Sequence, residues 1–177
     1  MVYIFLAEGF EEIEAVAAID ILRRTNLDVK IVGVGSEYVR GSMGITLKCD
    51  IELSELVTEN LQGIVLPGGV LGVENLGKND KVCETIRYCD KNKLLIGAIC
   101  AAPSILGKMK ILEGKEACCY PGFEKSLIGA KISNDSVCIC DNIITSNGPG
   151  NAINFALKLV EYIFGIKEYE NIRVSMN

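Results

Sequence analysis

The sequence contains no histidine. A Cys–His or Ser–His triad therefore cannot form within this chain. Any general acid or base must be Glu, Asp, Lys, Tyr or a further Cys. No block of Lys and Arg is present and the net charge is −5, which argues against nucleic acid as a partner. No apolar run reaches ~18 residues, so no membrane span is expected. The first residues run straight into a strand-like segment, without the basic-then-apolar order of a signal peptide. The close cysteine pairs, Cys118-Cys119 and Cys138-Ile139-Cys140, lack the C-x-x-C spacing of zinc sites, and no metal is expected. Linkers, repeats and low-complexity stretches are missing too. What remains is one expected domain over residues 1–177, with 49% hydrophobic and 23% charged residues, enough for a substantial core. Eight cysteines without a secretion signal imply reduced thiols in the cytoplasm.

The stretch Leu94-Leu95-Ile96-Gly97-Ala98-Ile99-Cys100-Ala101-Ala102-Pro103 organises the rest. Leu94 to Ile99 reads as a strand buried on both faces. Pro103 suits a first helical turn, which predicts a helix to about Met109. Cys100 then occupies the strand-to-helix turn, where serine hydrolases place their nucleophile. A thiol there faces unpaired N–H groups and a positive helix end, both of which favour thiolate. The same position also suits a small buried hydrophobe, and position alone leaves both readings open.

Along the chain, Val2–Ala7 reads as a buried strand, and Glu11-Glu12-Ile13-Glu14 opens a helix to about Thr25 whose Ile13, Val16, Ala17 and Ile21 should face a sheet. Val29–Val34 completes a βαβ unit. Tyr38–Arg40 and Ile45–Lys48 flank Gly41-Ser42-Met43-Gly44 as a hairpin. Ser54 is read as the cap of a short helix over 55–60. Gly63–Leu66 is a strand that ends in Pro67-Gly68-Gly69, a helix covers Asp80–Asn92, and Glu116–Cys119, Ser136–Asp141 and Asn142–Ser146 read as strands. Asn151–Phe164 is an amphipathic helix closed by Gly165. Alternating strands and helices predict an α/β fold with a mostly parallel sheet. Sites in such sheets form beyond the carboxyl ends of the strands, so the turns after Ala7, Leu66, Ile99 and Ser146 can converge.

Four segments stand in order: Ala7-Glu8-Gly9-Phe10-Glu11-Glu12-Ile13-Glu14, Leu66-Pro67-Gly68-Gly69, Ala98-Ile99-Cys100-Ala101-Ala102-Pro103 and Thr145-Ser146-Asn147-Gly148-Pro149-Gly150. With them the chain resembles the DJ-1 (Parkinson-disease protein 7) branch of the DJ-1/ThiJ/PfpI superfamily, over nearly its whole length. The resemblance implies a flavodoxin-like three-layer sandwich, a homodimer contacting through the first helix and the early hairpin, and a reactive elbow cysteine, Cys100, beside Glu14. It also implies a pocket formed by the N–H groups of Gly69 and Ala101, with Gly68 in the same turn. Two departures stand out. The histidine that many members place near the cysteine matches Tyr120 here, and the arginine of the early hairpin matches Met43. Arg23 and Arg24 remain as candidate anion partners, and Tyr120 is either a proton donor or a core side chain.

Like charges in contact cannot both ionise cheaply, so Glu14 and Cys100 should share a proton, placed on Glu14. Glu11 and Glu12 read as acids matched to the helix dipole, and the remaining cysteines as packing residues. No cofactor is expected. The leading function is oxidation of Cys100 by peroxide, reversibly or to sulfinate, in oxidative and carbonyl stress. A second reading is glyoxalase or deglycase chemistry on reactive carbonyls such as methylglyoxal. A peptidase or amidase is disfavoured because no histidine is available for the leaving group.

Overall fold

The apolar hexapeptide Val2–Ala7 forms β1, fully buried near the middle of a seven-stranded sheet. The computed structural model describes residues 1–176. After β1 come α1 (Glu12–Arg23), β2 (Val29–Val34), a hairpin of β3 (Tyr38–Arg40) and β4 (Thr46–Lys48), and β5 (Ile51–Glu52). Then follow β6 (Gly63–Leu66), α2 (Val70–Lys78), α3 (Asp80–Lys91), β7 (Leu95–Ile99) and α4 (Pro103–Lys108). The remainder comprises β8 (Glu116–Ala117), β9 (Lys131–Ile132), β10 (Val137–Cys140), β11 (Ile143–Ser146), α5 (Ala152–Phe164) and α6 (Ile166–Ser175).

The sheet order is β10-β11-β7-β6-β1-β2-β5, and every neighbouring pair is parallel except β10 with β11. Parallel strands buried on both faces need apolar residues at successive positions, and the runs around Ile4, Val65 and Ile96 supply them. On one face Tyr3, Phe5, Leu66 and Ile96 pack with Leu76, Ile86 and Ile105 from α2, α3 and α4. On the other, Ile4, Leu6 and Ile144 pack with Leu22 from α1 and with Phe155 and Val160 from α5. The result is the expected three-layer sandwich. Because β11, β7, β6 and β1 are consecutive in the sheet, the turns after Ser146, Ile99, Leu66 and Ala7 do meet at one end.

The short strands β5 and β9 have no counterpart in the sequence reading, β8 stops at Ala117 rather than Cys119, and three further differences bear on packing. In α1 the buried side is Ala15, Ala18, Ile19, Ile21 and Leu22, while Ile13 and Val16 are 59% and 44% exposed. The apolar stripe on α1 is thus wider than the sheet needs. No helix follows Ser54. A short 3₁₀ turn covers Leu53–Glu55, capped reciprocally by Glu52 and Glu55, and Tyr3 Oη donates to the Val57 carbonyl at 2.9 Å beyond it. The helix α2 went unread because glycines at 68, 69, 72 and 77 lower helix propensity where tertiary packing imposes it. Its Val73 and Leu76 are the buried positions.

Candidate functional site

Cys100 follows the last residue of β7 with φ of 64°, a left-handed conformation in a non-glycine residue. Such residues cost roughly 1–3 kcal/mol and persist only where the surroundings impose them. Here the backbone is held on both sides: Cys100 N–H donates to the Ser146 carbonyl and Tyr120 N–H donates to the Cys100 carbonyl, each at 2.8 Å. The side chain is half-buried, and the backbone N–H groups of Gly69 and Ala101 point at its sulfur.

Glu14, on the first turn of α1, is fully buried. Its Oε2 accepts a hydrogen bond from Gly68 N–H at 2.7 Å, and its Oε1 is buried without a hydrogen-bond partner. Gly68 is glycine for a visible reason. A Cβ there would lie 2.5 Å from Glu14 Oε2, 2.6 Å from Cys100 Cβ and 3.1 Å from Cys100 Sγ. The carboxyl, the thiol and the glycine turn therefore occupy one small volume. Gly69 has φ of 86°, which turns its N–H toward the sulfur, and Glu11 N–H donates to the Gly68 carbonyl at 3.0 Å, tying the start of α1 to this turn.

Burial pushes the Glu14 carboxyl up to about 7, against the hydrogen bonds from Gly68 and Cys100 that lower it. Burial and the neighbouring Glu14 charge push the Cys100 thiol up to about 12, while the N–H groups of Gly69 and Ala101 pull it down. This corrects the expectation of a depressed thiol: the helix-end N–H groups are present, but burial and Glu14 outweigh them. Between those two values the pair holds a single proton. An ionised carboxylate with a buried, unpartnered oxygen is costly, and a proton on the carboxyl removes that cost.

A cavity of about 550 Å³ opens onto the sulfur, with Gly9, Ser42, Gly69, Leu71, Cys100 and Tyr120 among its lining. Tyr120 is 45% exposed with its ring against Gly148, so it is not a core side chain. The structure thus brings together Cys100, Glu14, Gly68, Gly69, Ala101 and Tyr120. It does not bring Arg24. That residue follows α1 at its far end, ten residues from Glu14 or ~15 Å along the axis, and pairs with Asp20 at 2.8 Å on the surface. Arg23 is engaged by Asp50 and the Val29 carbonyl. Met43 is 76% exposed.

Sequence reasoning missed Glu12. It is buried, and its carboxylate accepts from Met43 N–H at 2.7 Å, Ile45 N–H at 3.2 Å and Ser42 Oγ at 3.1 Å. Burial would raise its pKa, but these hydrogen bonds and its own backbone N–H outweigh that and hold it low. Glu12 therefore fastens the β3–β4 turn to the start of α1 and sets Ser42 at the rim of the cavity. Acid spacing alone carried no sign of it, because the donors come from a turn thirty residues away. Among the described residues no cluster of three or more potential metal ligands occurs, and no helix is long and apolar enough to cross a membrane.

A parallel α/β sandwich with a thiol on the strained turn after a central strand, paired with a buried carboxyl, defines a class of elbow-cysteine proteins. The chain belongs to the DJ-1/PfpI family, whose model matches residues 1–162. It is 34% identical to Protein dj-1beta of Drosophila melanogaster over 172 residues, 96% of this chain and 92% of that protein. It is 36% identical to the glutathione-independent glyoxalase DJR-1.2 of Caenorhabditis elegans over 159 residues, 89% of this chain and 85% of that one. Among solved structures, oxidized Toxoplasma gondii DJ-1 superposes with a TM-score of 0.95 at 34% identity, covering 99% of this chain and 96% of that one.

Proposed function

We propose that Cys100 is a peroxide-oxidisable thiol serving oxidative and carbonyl stress, with Glu14 as its proton partner. The observation that carries this reading is the buried, unpartnered Oε1 of Glu14 beside a sulfur that faces two backbone N–H groups. The thiolate attacks the O–O bond of a peroxide, taking one oxygen and releasing the alcohol or water. A second peroxide converts sulfenate to sulfinate. A protonated Glu14 then donates to a sulfinate oxygen, a charge-assisted bond of the short, strong kind, and the Gly69 and Ala101 N–H groups supply two further donors. The solved relative described as oxidized DJ-1 supports the reading. The test is peroxide titration followed by mass spectrometry: the wild-type chain should gain two oxygens on Cys100, and Cys100→Ser should gain none.

A second reading is glutathione-independent glyoxalase or deglycase activity on methylglyoxal-type dicarbonyls. The open 550 Å³ cavity above the sulfur and the relative named as a glyoxalase favour it. The thiolate adds to the aldehyde carbon and Glu14 gives its proton to the new alkoxide. Glu14 then takes the proton from that carbon and returns it to the neighbouring one, the hydroxyl proton passes to the neighbouring oxygen to leave a lactoyl thioester, and water cleaves the thioester to release lactate and restore the thiol. Lactate formation should be slow, lost in Cys100→Ser and Glu14→Ala, and retained in Tyr120→Phe. Activity that persists in Cys100→Ser would overturn the mechanism. The chain is further proposed to work as a homodimer in a reducing cytoplasm, in line with its free cysteines and the apolar residues left exposed on α1.

A further inference from the structure

Away from the Cys100 cavity, the segment after β8 brings a second pair of thiols together. Cys118 N–H donates to Thr145 Oγ1 at 3.0 Å, and the Cys118 sulfur lies 3.6 Å from the same oxygen. Thr145 sits directly opposite Cys138 in the β10–β11 pair. Residues opposed in an antiparallel pair project to one face with Cβ atoms ~4.5–5.5 Å apart. The Cys118 sulfur is also 3.9 Å from the Ser136 carbonyl, and the nearby Cys138 N–H favours its ionised form. It therefore rests beside the backbone of β10, close enough to Cys138 that charge on Cys118 raises the Cys138 thiol.

The other cysteines nearby are placed less well. Cys119 joins the core cluster that includes Ile105 and Leu106 of α4. Cys140 shares a face with Cys138 but pairs across from Ile143, one full side-chain repeat further from Thr145. A separate cavity of about 250 Å³ is lined by both Cys118 and Cys119, with Asp135 and Asn147. Water occupies ~30 Å³ in the liquid, so hydrogen peroxide or a small alkyl peroxide fits there.

We propose that Cys118 and Cys138 form a second redox site, a dithiol that small peroxides oxidise reversibly to a disulfide. One sulfur attacks the peroxide O–O bond and becomes a sulfenic acid, while the peroxide leaves as water or the alcohol. The other sulfur attacks the sulfenic sulfur, the S–S bond forms and water departs. Burial holds both thiols up, Cys138 to about 11, which slows their reaction at neutral pH. The segment between them carries Tyr120 and Phe123, both of which line the Cys100 cavity. Oxidation would thus fix both ends of the stretch that forms one wall of the primary site. The dithiol stands independently of any role for Cys100.

The test uses the folded Cys100→Ala chain, so that Cys100 chemistry is silent, treated with hydrogen peroxide and digested without reductant. The intact mass should fall by two hydrogens and return with dithiothreitol. Trypsin should yield residues 116–125 linked to residues 132–158. That link should survive Cys119→Ala and Cys140→Ala and disappear in Cys118→Ala and Cys138→Ala. Where an alanine variant fails to fold, fragment-ion mapping of the link in the parent chain assigns the same two residues. Retention of the starting mass in the folded protein, or a link that persists in Cys138→Ala, would overturn the proposal.

Discussion

At the scale of single residues, the site turns on one proton shared between Cys100 and Glu14. Burial raises Glu14 to about 7, so the first proton should leave the pair near that pH. Sulfur is the group that ionises in this step only when the other proton stays on Glu14, as proposed here, and alkylation of Cys100 should then rise with a midpoint near 7, with mass-resolved rates across pH showing it as the fastest-reacting thiol in the folded chain. In Glu14→Gln the pair no longer has that proton to lose, and the midpoint near 7 should vanish. Superimposable profiles for the two proteins would rule out the shared proton. Sulfinate yield gives a second measure. Glu14→Asp shortens the side chain by one methylene and Glu14→Gln removes the acidic proton, so both should shift peroxide products away from sulfinate in intact-mass spectra. Equal yields in all three would leave Glu14 without that role. The elbow place of Cys100 and the Gly68-Gly69 turn were legible as short local patterns of apolar strand, small elbow and double glycine, whereas Glu14 stood out only through the family resemblance, because an acid in a first helical turn otherwise reads as a dipole match. The sign of the thiol shift was not, since burial depends on how four separate turns close over one sulfur.

At the scale of elements, the start of α1 does two jobs that its acids divide between them. Glu14 faces inward to the elbow, and Glu12 faces the β3–β4 turn and satisfies two of its backbone N–H groups. Removing one partner of a buried hydrogen bond costs roughly 1–3 kcal/mol, more for charged groups. Glu12→Ala should therefore lower unfolding free energy by about that amount and loosen the 41–45 turn, read as faster amide exchange at Met43 and Ile45. Unchanged exchange there would show that the turn holds itself. The longer strands are legible almost to the residue because apolar runs between turn residues mark a parallel sheet, whereas the two-residue β5 and β9 carry no such run. Errors gathered where tertiary contacts decide instead: α2 among its glycines, the 3₁₀ turn at Leu53–Glu55, and the outward stripe of α1. Periodicity reports that a helix has an apolar face, and Ile13 and Val16 show that it does not report what that face meets.

At the scale of the whole molecule, two consequences follow for stability and assembly. A carboxyl whose folded pKa is raised stabilises the fold relative to the unfolded chain fully only below the unfolded value. That contribution is lost as pH climbs through the folded one. For Glu14 the window runs from about 4.5 to about 7, so stability from this group should fall as pH rises across it. Chemical denaturation of wild type at pH 5 and pH 8 should show the decline, and Glu14→Gln should flatten it; parallel curves for both proteins would exclude the linkage. One sheet with cores on both faces also leads us to expect residues 1–177 to unfold as one cooperative unit. The proposed dimer contact is the surface of α1. Ile13 and Val16, with Ile153 of α5, leave an apolar face in solvent beside the exposed Met43 and Ile45 of the hairpin. Covering such side chains gains roughly 25 cal/mol per Å² of apolar surface, and a two-fold axis would cover the same face on both copies. The chain should therefore run in light scattering at about twice its 19.2 kDa mass at micromolar concentration. Ile13→Glu places a charge at the centre of that face and should shift the species to monomer while far-UV circular dichroism stays the same. A wild-type species of 19.2 kDa would refute the dimer, and a dimer undisturbed by Ile13→Glu would move the contact away from α1.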